Sequence, residues 1–377
     1  MHIVMISHGY KPRIGGAERQ LATIAPLLKT QGLDITILTR KLNGTASYEE
    51  IDGIPVYRLP SPGNKPLASL AFTISALKLI RRLKPDIVHA HELISPATTG
   101  LMAHFLNQVP LVFTLHLSGP DGDIHRMQRK FLGSFRLDLF RKNATVFVVI
   151  SKEIDEELAS LGVLPAQRVF IPNGVDTNQF SDTSQSIKNS QRARLGIESD
   201  VLLAVYIGRL VHVKRVDLLL SAWPFVRKRF PKAELMIIGS GPLEEYFKKQ
   251  NISGIHFLGS QPDVSPFLRA ADLFILPSDA EGLPVALLEA MSSKIACIAT
   301  SVGGVPDVVE HKKNGWLIPP NDLQSLQSAI VNLFEDGDLR SRMGFNGRQQ
   351  IIENYSADQM ASKLKNLYQQ IIDGGRL

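Results

Sequence analysis

The chain has 377 residues, 44% hydrophobic and 21% charged, with a net charge of +6. That length suits two domains of ordinary size, and the composition excludes a disordered or low-complexity chain. The single cysteine, Cys297, excludes an internal disulfide and fits a buried structural thiol, and no apolar run approaches the ~20 residues of a membrane span.

Residues 2–7 (HIVMIS) read as a strand covered on both faces, and the run is too short for a secretory signal. After the loop HGYKPRIGG, residues 17–30 place Leu21, Ile24, Ala25, Leu27 and Leu28 at helical spacing. Residues 34–39 (DITILT) form a second strand, so the chain opens on a strand–helix–strand unit. Strands are predicted at 55–59, 86–90 and 111–115, with a helix over 67–83 that closes on Arg81 and Arg82. A basic helical stretch covers 124–142, a strand follows at 144–150, and RVFIP with NGVD ends the first half. Residues 181–200 are polar and lack an apolar period, which predicts a linker. The alternation then restarts, with strands at 201–207, 233–238, 255–258, 272–276 and 295–299 and a helix over 216–230. A last helix, 357–372, carries Met360, Leu364 and Leu367 on one face. Two doubly wound α/β domains follow from this pattern, and loops at strand C-termini make an interdomain cleft the expected ligand position.

The stretch 277–291, PSDAEGLPVALLEAM, follows the strand at 272–276. Glu281 lies in the turn, and Glu289 lies eight positions on, inside an otherwise apolar helix. Pro284 suits the first helical position, where its missing N–H costs nothing. The N–H groups of Gly282, Leu283 and Val285 are then candidate donors at a positive helix end, suited to phosphate, while the carboxylates suit sugar hydroxyls. An ordinary first-turn acid and a solvent-facing Glu289 would give the same letters; Glu289 within VALLEAM weighs against that.

Other strand ends carry chemistry as well. Gly15–Gly16 opens a helix in GGAER, where glycine admits a close ligand. The spacing is not G-x-G-x-x-G and the second strand ends at Arg40 rather than an acid, against a nicotinamide fingerprint. In GRLVHVK, Arg209 and Lys214 place two cations where they oppose the helix dipole, which suits a diphosphate. His116 ends an apolar strand, either as a boundary residue or as a partner for a sugar hydroxyl. His89, His91 and Glu92 lack a further ligand at metal-binding spacing, so no metal site is expected.

The first 180 residues hold 20 of the 42 Lys+Arg and 15 of the 36 Asp+Glu, which is most of the basic excess. The stretch 124–142 concentrates it in Arg126, Arg129, Lys130 and Arg136, alongside Met127, Phe131, Phe135, Leu139 and Phe140 at helical spacing. Such a segment either lies on an anionic membrane or packs its apolar face on its own domain. Charge alone leaves nucleic acid possible, with a membrane surface competing, but with the motifs of the whole chain it is not an expected partner.

Taken in order, GGAER, IPNGVD, GRLVHVK, IIGSGP, SDAEGLPVALLEAM and ATSVGGVPDVV make the chain resemble the retaining glycosyltransferases of family 4 over nearly its whole length. The resemblance implies a GT-B fold. Residues 1–175 form a Rossmann-like acceptor domain, completed by 357–377, and 176–356 form a Rossmann-like donor domain. Catalytic roles fall on Glu281, His116, Arg209 and Lys214. Donor binding falls on Gly15, Gly16, Arg209, Lys214, Gly282, Leu283, Val285 and Glu289. In that pattern Arg209 and Lys214 neutralise the diphosphate, Glu289 binds ribose, and Glu281 sits at the transferred sugar. EGLP replaces the family's commoner E-G-F-G, so Pro284 removes one backbone donor.

The function so implied is sugar transfer with retention from a nucleoside-diphosphate sugar, UDP-linked or as GDP-mannose, to a glycan or lipid-linked hydroxyl in cell-envelope polysaccharide or glycolipid synthesis. No cofactor or metal is expected. The expected place is the cytoplasm, peripheral at the inner membrane face. Alternatives are a nucleotide-sugar 2-epimerase of the same fold and a silent nucleotide-sugar binder.

Overall fold

The computed structural model describes residues 1–12, 15–181 and 184–374. The chain divides into two compact units, Met1–Gly174 with Ala357–Leu377, and Val175–Ser356.

The first unit begins with β1 (His2–Ile6), α1 (Gly16–Thr30), β2 (Asp34–Arg40), β3 (Tyr48–Ile51), β4 (Ile54–Leu59) and α2 (Lys65–Leu83). It continues through β5 (Ile87–His91), α3 (Ser95–Asn107), β6 (Leu111–Thr114), α4 (Asp123–Gln128), α5 (Gly133–Asn143), β7 (Val146–Val149), α6 (Lys152–Ser160) and β8 (Arg168–Phe170). The strands form one sheet in the order β3-β4-β2-β1-β5-β6-β7-β8, parallel except for the hairpin β3–β4. Ile3, Val4 and Ile6 of β1 and Ile87 and Val88 of β5 are 0% exposed, as helices on both faces require.

The second unit holds α7 (Gln185–Arg194), β9 (Leu203–Ile207), α8 (Val216–Arg229), β10 (Glu234–Ile238), α9 (Glu244–Lys248), β11 (Ile255–Gly259), α10 (Ser265–Ala270) and β12 (Leu273–Leu276). It ends with α11 (Val285–Ser292), β13 (Ala296–Thr300), α12 (Val305–Val308), β14 (Trp316–Ile318), α13 (Leu323–Glu335) and α14 (Gly337–Asn354). Its parallel sheet runs β11-β10-β9-β12-β13-β14. Then α15 (Ala357–Ile372) packs on α1 of the first unit, burying Met360, Ala361, Leu364, Leu367 and Tyr368.

Both sheets reverse winding direction at one place, between β1 and β5 and between β9 and β12. Ligands of open α/β sheets bind outside the strand C-termini at such a switch point. β9 and β12 pair only at Leu273↔Ala204 and Phe274↔Val205, so their last residues turn to β10 and β13 instead.

Two expectations are corrected. The stretch 181–200 is not a plain linker, because 185–194 is helical. Its Asp182 and Thr183 lie outside the described residues. α7 docks by polar contacts that no hydrophobic period reveals. Arg192, buried, donates to the carbonyls of Ala270 and Val201 at 2.9 and 3.0 Å and to Asp272 at 2.6 Å. The basic stretch 124–142 is not one helix. Leu132 takes a left-handed conformation, and a Cβ on Gly133 would lie 2.0 Å from the Met127 carbonyl, so the chain folds back between α4 and α5. No helix among the described residues is long and apolar enough to cross a membrane.

Candidate functional site

In the second unit, two turns meet at the switch point. β9 runs into Gly208 and Arg209, and a single 3-10 turn, His212–Lys214, leads to Arg215. Arg215 takes φ 49° and pairs with Asp217 and, at 3.2 Å, with Asp279 in the turn after β12. The Asp279 N–H donates to the Val213 carbonyl at 2.8 Å. Lys214 Nζ donates to Glu281 Oε1 at 2.6 Å. Residues 64 to 67 positions apart in sequence are thus joined by a backbone bond and two ion pairs.

Glu281 and Glu289 are 4% and 2% exposed, which rules out a solvent-facing Glu289. Lys214 is partly buried, whereas Arg209 is exposed and makes no ion pair among the described residues. Tyr206, fully buried, donates its hydroxyl to the Arg209 carbonyl at 3.2 Å. Burial, then the charge of Glu281, pushes that hydroxyl well above its usual range, so it stays a donor.

Pro284 stands one position earlier relative to the helix than expected. It is the N-cap, with ψ 115°, and α11 starts at Val285. The Pro284 carbonyl accepts from Leu287 N–H at 3.1 Å, and the Gly282 carbonyl accepts from Gly304 N–H at 2.5 Å. Leu283 and Val285 are buried beside them.

Glycines of two motifs serve close backbone approach. Gly303 takes φ +56°, and a Cβ there would lie 1.9 Å from the Glu281 carbonyl. A Cβ on Gly239 or Gly241, in GSGP, would meet the carbonyls of Gly208 or Leu210 at 2.0 and 2.3 Å. These two loops therefore clamp the turns that carry Glu281 and Arg209.

In the first unit, Gly15 is the N-cap of α1 and Gly16 its first residue, with open space where a Cβ would be. Arg13 and Ile14 before them lie outside the described residues. β5 and β6 end in His91 and, two residues past the strand, His116. His91 Nδ1 meets His116 Nε2 at 3.1 Å, and His89 meets the Tyr368 hydroxyl at 2.6 Å and Thr114 Oγ1 at 2.7 Å. His89, His91, Thr114 and His116 line a cavity of about 40 Å³ together with Gln20 and Asn173. Burial pushes His89 down to about 3 and His116 to about 4, and holds His91 well below the usual histidine range. All three rings are neutral at pH 7.

Sequence reading missed Asp123, Gly303 and Arg215. Asp123, 3% exposed, accepts the His116 N–H at 2.7 Å and so fixes the turn after β6. Burial raises its pKa, against those backbone bonds. Only the G-D start of α4 hints at it. Arg215 was hidden beside the cation the motif emphasises.

In the basic stretch, Arg126, Arg129 and Lys130 are exposed and Phe131 is 87% exposed. Met127 and Phe140 are buried instead. Arg136 departs from its expected place on that surface: it turns inward to Thr98 Oγ1, and burial lowers its pKa.

Comparison with known proteins follows the same division. Residues 14–179 match the family described as Glycosyltransferase Family 4, and residues 187–350 match Glycosyl transferases group 1. The chain is 29% identical to a putative teichuronic acid biosynthesis glycosyltransferase of Bacillus subtilis, over 91% of this chain and 92% of that protein. It is 26% identical to the UDP-Gal:alpha-D-GlcNAc-diphosphoundecaprenol alpha-1,3-galactosyltransferase of Escherichia coli, over 95% and 94%. Its fold is similar to that of Anabaena HepE, solved in complex with UDP-glucose, with a TM-score of 0.82 at 20% identity over 98% of this chain and 100% of that one. With matches on both units and a GT-B fold, the chain belongs to the group 1, family 4 glycosyltransferases.

Proposed function

We propose that this glycosyltransferase moves a sugar, with retention, from a UDP-sugar to a hydroxyl of a glycan or lipid-linked acceptor in cell-envelope polysaccharide or glycolipid synthesis. The E. coli relative uses UDP-galactose and a lipid-diphosphate-linked sugar, the Bacillus relative is assigned to teichuronic acid synthesis, and HepE binds UDP-glucose. GDP-mannose is the second donor to test, because a Corynebacterium relative depends on it.

The observation that carries this reading is the Lys214–Glu281 pair beside Arg209 at the β9/β12 switch point. Breaking a glycosyl phosphate puts negative charge on the diphosphate and positive character on the sugar. Arg209 and Lys214 stabilise the first, and Glu281 the second. An ammonium has three donors, so Lys214 can hold Glu281 and still donate to a phosphate oxygen. Glu289 takes the ribose hydroxyls. Gly282, Leu283 and Val285 supply the backbone around sugar and phosphate. In the first unit, Gly15 and Gly16 serve the phosphate, and His116 a sugar hydroxyl.

The exposed Arg126, Arg129 and Lys130 around Phe131 support a second part of the reading: contact with an anionic membrane surface, where a lipid-linked acceptor resides.

The test is a donor screen with transfer as the readout. A UDP-sugar should be consumed only with acceptor present, and Glu281→Gln should lower turnover far more than UDP affinity. Isomerisation of the donor without acceptor would favour an epimerase, and Glu281→Gln with full transfer would remove the role given to Glu281.

A further inference from the structure

His89 and His91 stand two residues apart in β5, so both rings leave one face of the strand. They stack with centroids 4.4 Å apart, and His91 stacks in turn on His116 at 5.4 Å. His89 has both ring nitrogens engaged, by Tyr368 and Thr114. Between His91 Nδ1 and His116 Nε2, 3.1 Å apart, one nitrogen must carry the proton.

The other nitrogen of His91 decides which one. His91 is 8% exposed, and its Nε2 is buried without a hydrogen-bond partner among the described residues. A proton on Nε2 would leave a buried N–H with no acceptor, which is rarer and costlier than a bare acceptor lone pair. The His91 proton therefore sits on Nδ1 and is donated to His116 Nε2. Being neutral, His116 then carries its own proton on Nδ1. The depressed pKa values of both rings agree with a neutral pair. His116 itself is only partly buried, and its main chain is fixed by Asp123.

We propose that His91 is a positioning residue that locks His116 in its Nδ1–H tautomer, so that His116 meets the sugar as a hydrogen-bond donor and not as a base. The proposal rests on the reading of His116 as the sugar-side histidine. It assigns proton removal from the acceptor to some group other than His116, and it gives the second histidine of the H-x-H pair a role the sequence does not reveal.

The first test is ring ¹⁵N spectroscopy of the full-length protein at neutral pH. His116 should show a protonated Nδ1 and a bare Nε2, and a proton on His116 Nε2 overturns the proposal. The second is kinetics. His91→Leu should lower kcat about tenfold, through loss of orientation, with little change in donor KM. His91→Asn sets an amide nitrogen where Nδ1 stood and should restore most of kcat. Wild-type kcat in His91→Leu, or equal damage in both variants, overturns it. Full activity in His116→Ala would remove the sugar-side reading itself, and the spectrum would still decide the tautomer.

Discussion

At the scale of single residues, charge and burial set two measurable behaviours. His89 is 1% exposed and held near 3, below the ~6.5 of an unfolded histidine. Its folded pKa is depressed, so the unfolded chain binds more protons below pH 6.5. Stability is then complete above that pH and lost as pH falls from about 6.5 toward 3. For this ring alone the loss between pH 7 and pH 5 is about 2 kcal/mol. Denaturant unfolding of the first unit at the two pH values should show it, and His89→Gln should show a shallower fall. Lys214 and Glu281 give the second behaviour. Lys214→Ala deprives a buried carboxylate of its ammonium, which costs stability beyond the lost bond. Thermal unfolding should place Lys214→Ala well below the wild type, and the double variant with Glu281→Gln above Lys214→Ala. An additive double variant would mean that the pair is not coupled.

Residue types at strand ends were legible in the letters: acids, cations and histidines in turns that follow apolar strands. Their joining was not. Nothing in the sequence says that the Lys214 ammonium reaches Glu281, that Asp123 holds the His116 turn, or that Arg215 binds Asp279. The two ion pairs depend on strand order, which the alternation of elements leaves open, and the Asp123 bond on how a single loop folds.

Among the elements, α15 was readable to its ends because Met360, Leu364 and Leu367 repeat at helical spacing toward α1. α3 was not read, since Pro96, Thr98, Thr99 and Gly100 dilute its period. A Cβ on Gly100 would strike Leu111 at 2.8 Å, so that glycine permits close helix–strand packing. β3, YEEI, is a polar edge strand seen only through its hairpin with β4. α7 escaped because a buried guanidinium, not an apolar stripe, anchors it. The clamp on the Glu281 turn yields a prediction at this scale. Gly303→Ala adds a Cβ 1.9 Å from the Glu281 carbonyl at φ +56°, so the turn must move. Turnover should fall by about a hundredfold, the order of the effect of a 1 Å misplacement, while the far-UV spectrum stays that of the wild type. Unchanged turnover would show that the turn tolerates the shift.

At the scale of the molecule, the alternation of strands and helices was enough to expect two doubly wound sheets. The structure has them, each with its own core and its own switch point. The proposed membrane contact is tested at this scale too. Arg129→Glu with Lys130→Glu should weaken sedimentation with anionic vesicles about thirtyfold or more, at about 1 kcal/mol per cation near the surface. Equal binding by the variant would confine those cations to solvent.

The proposed function requires the second unit to hold a nucleoside diphosphate at the Arg209/Lys214 turn. The direct measurement is calorimetric titration of UDP into the wild type and into Arg209→Ala. Loss of one charge-assisted contact, about 1.5–3 kcal/mol, should weaken binding by about ten- to a hundredfold in the variant. Equal affinity in the two proteins would contradict the account.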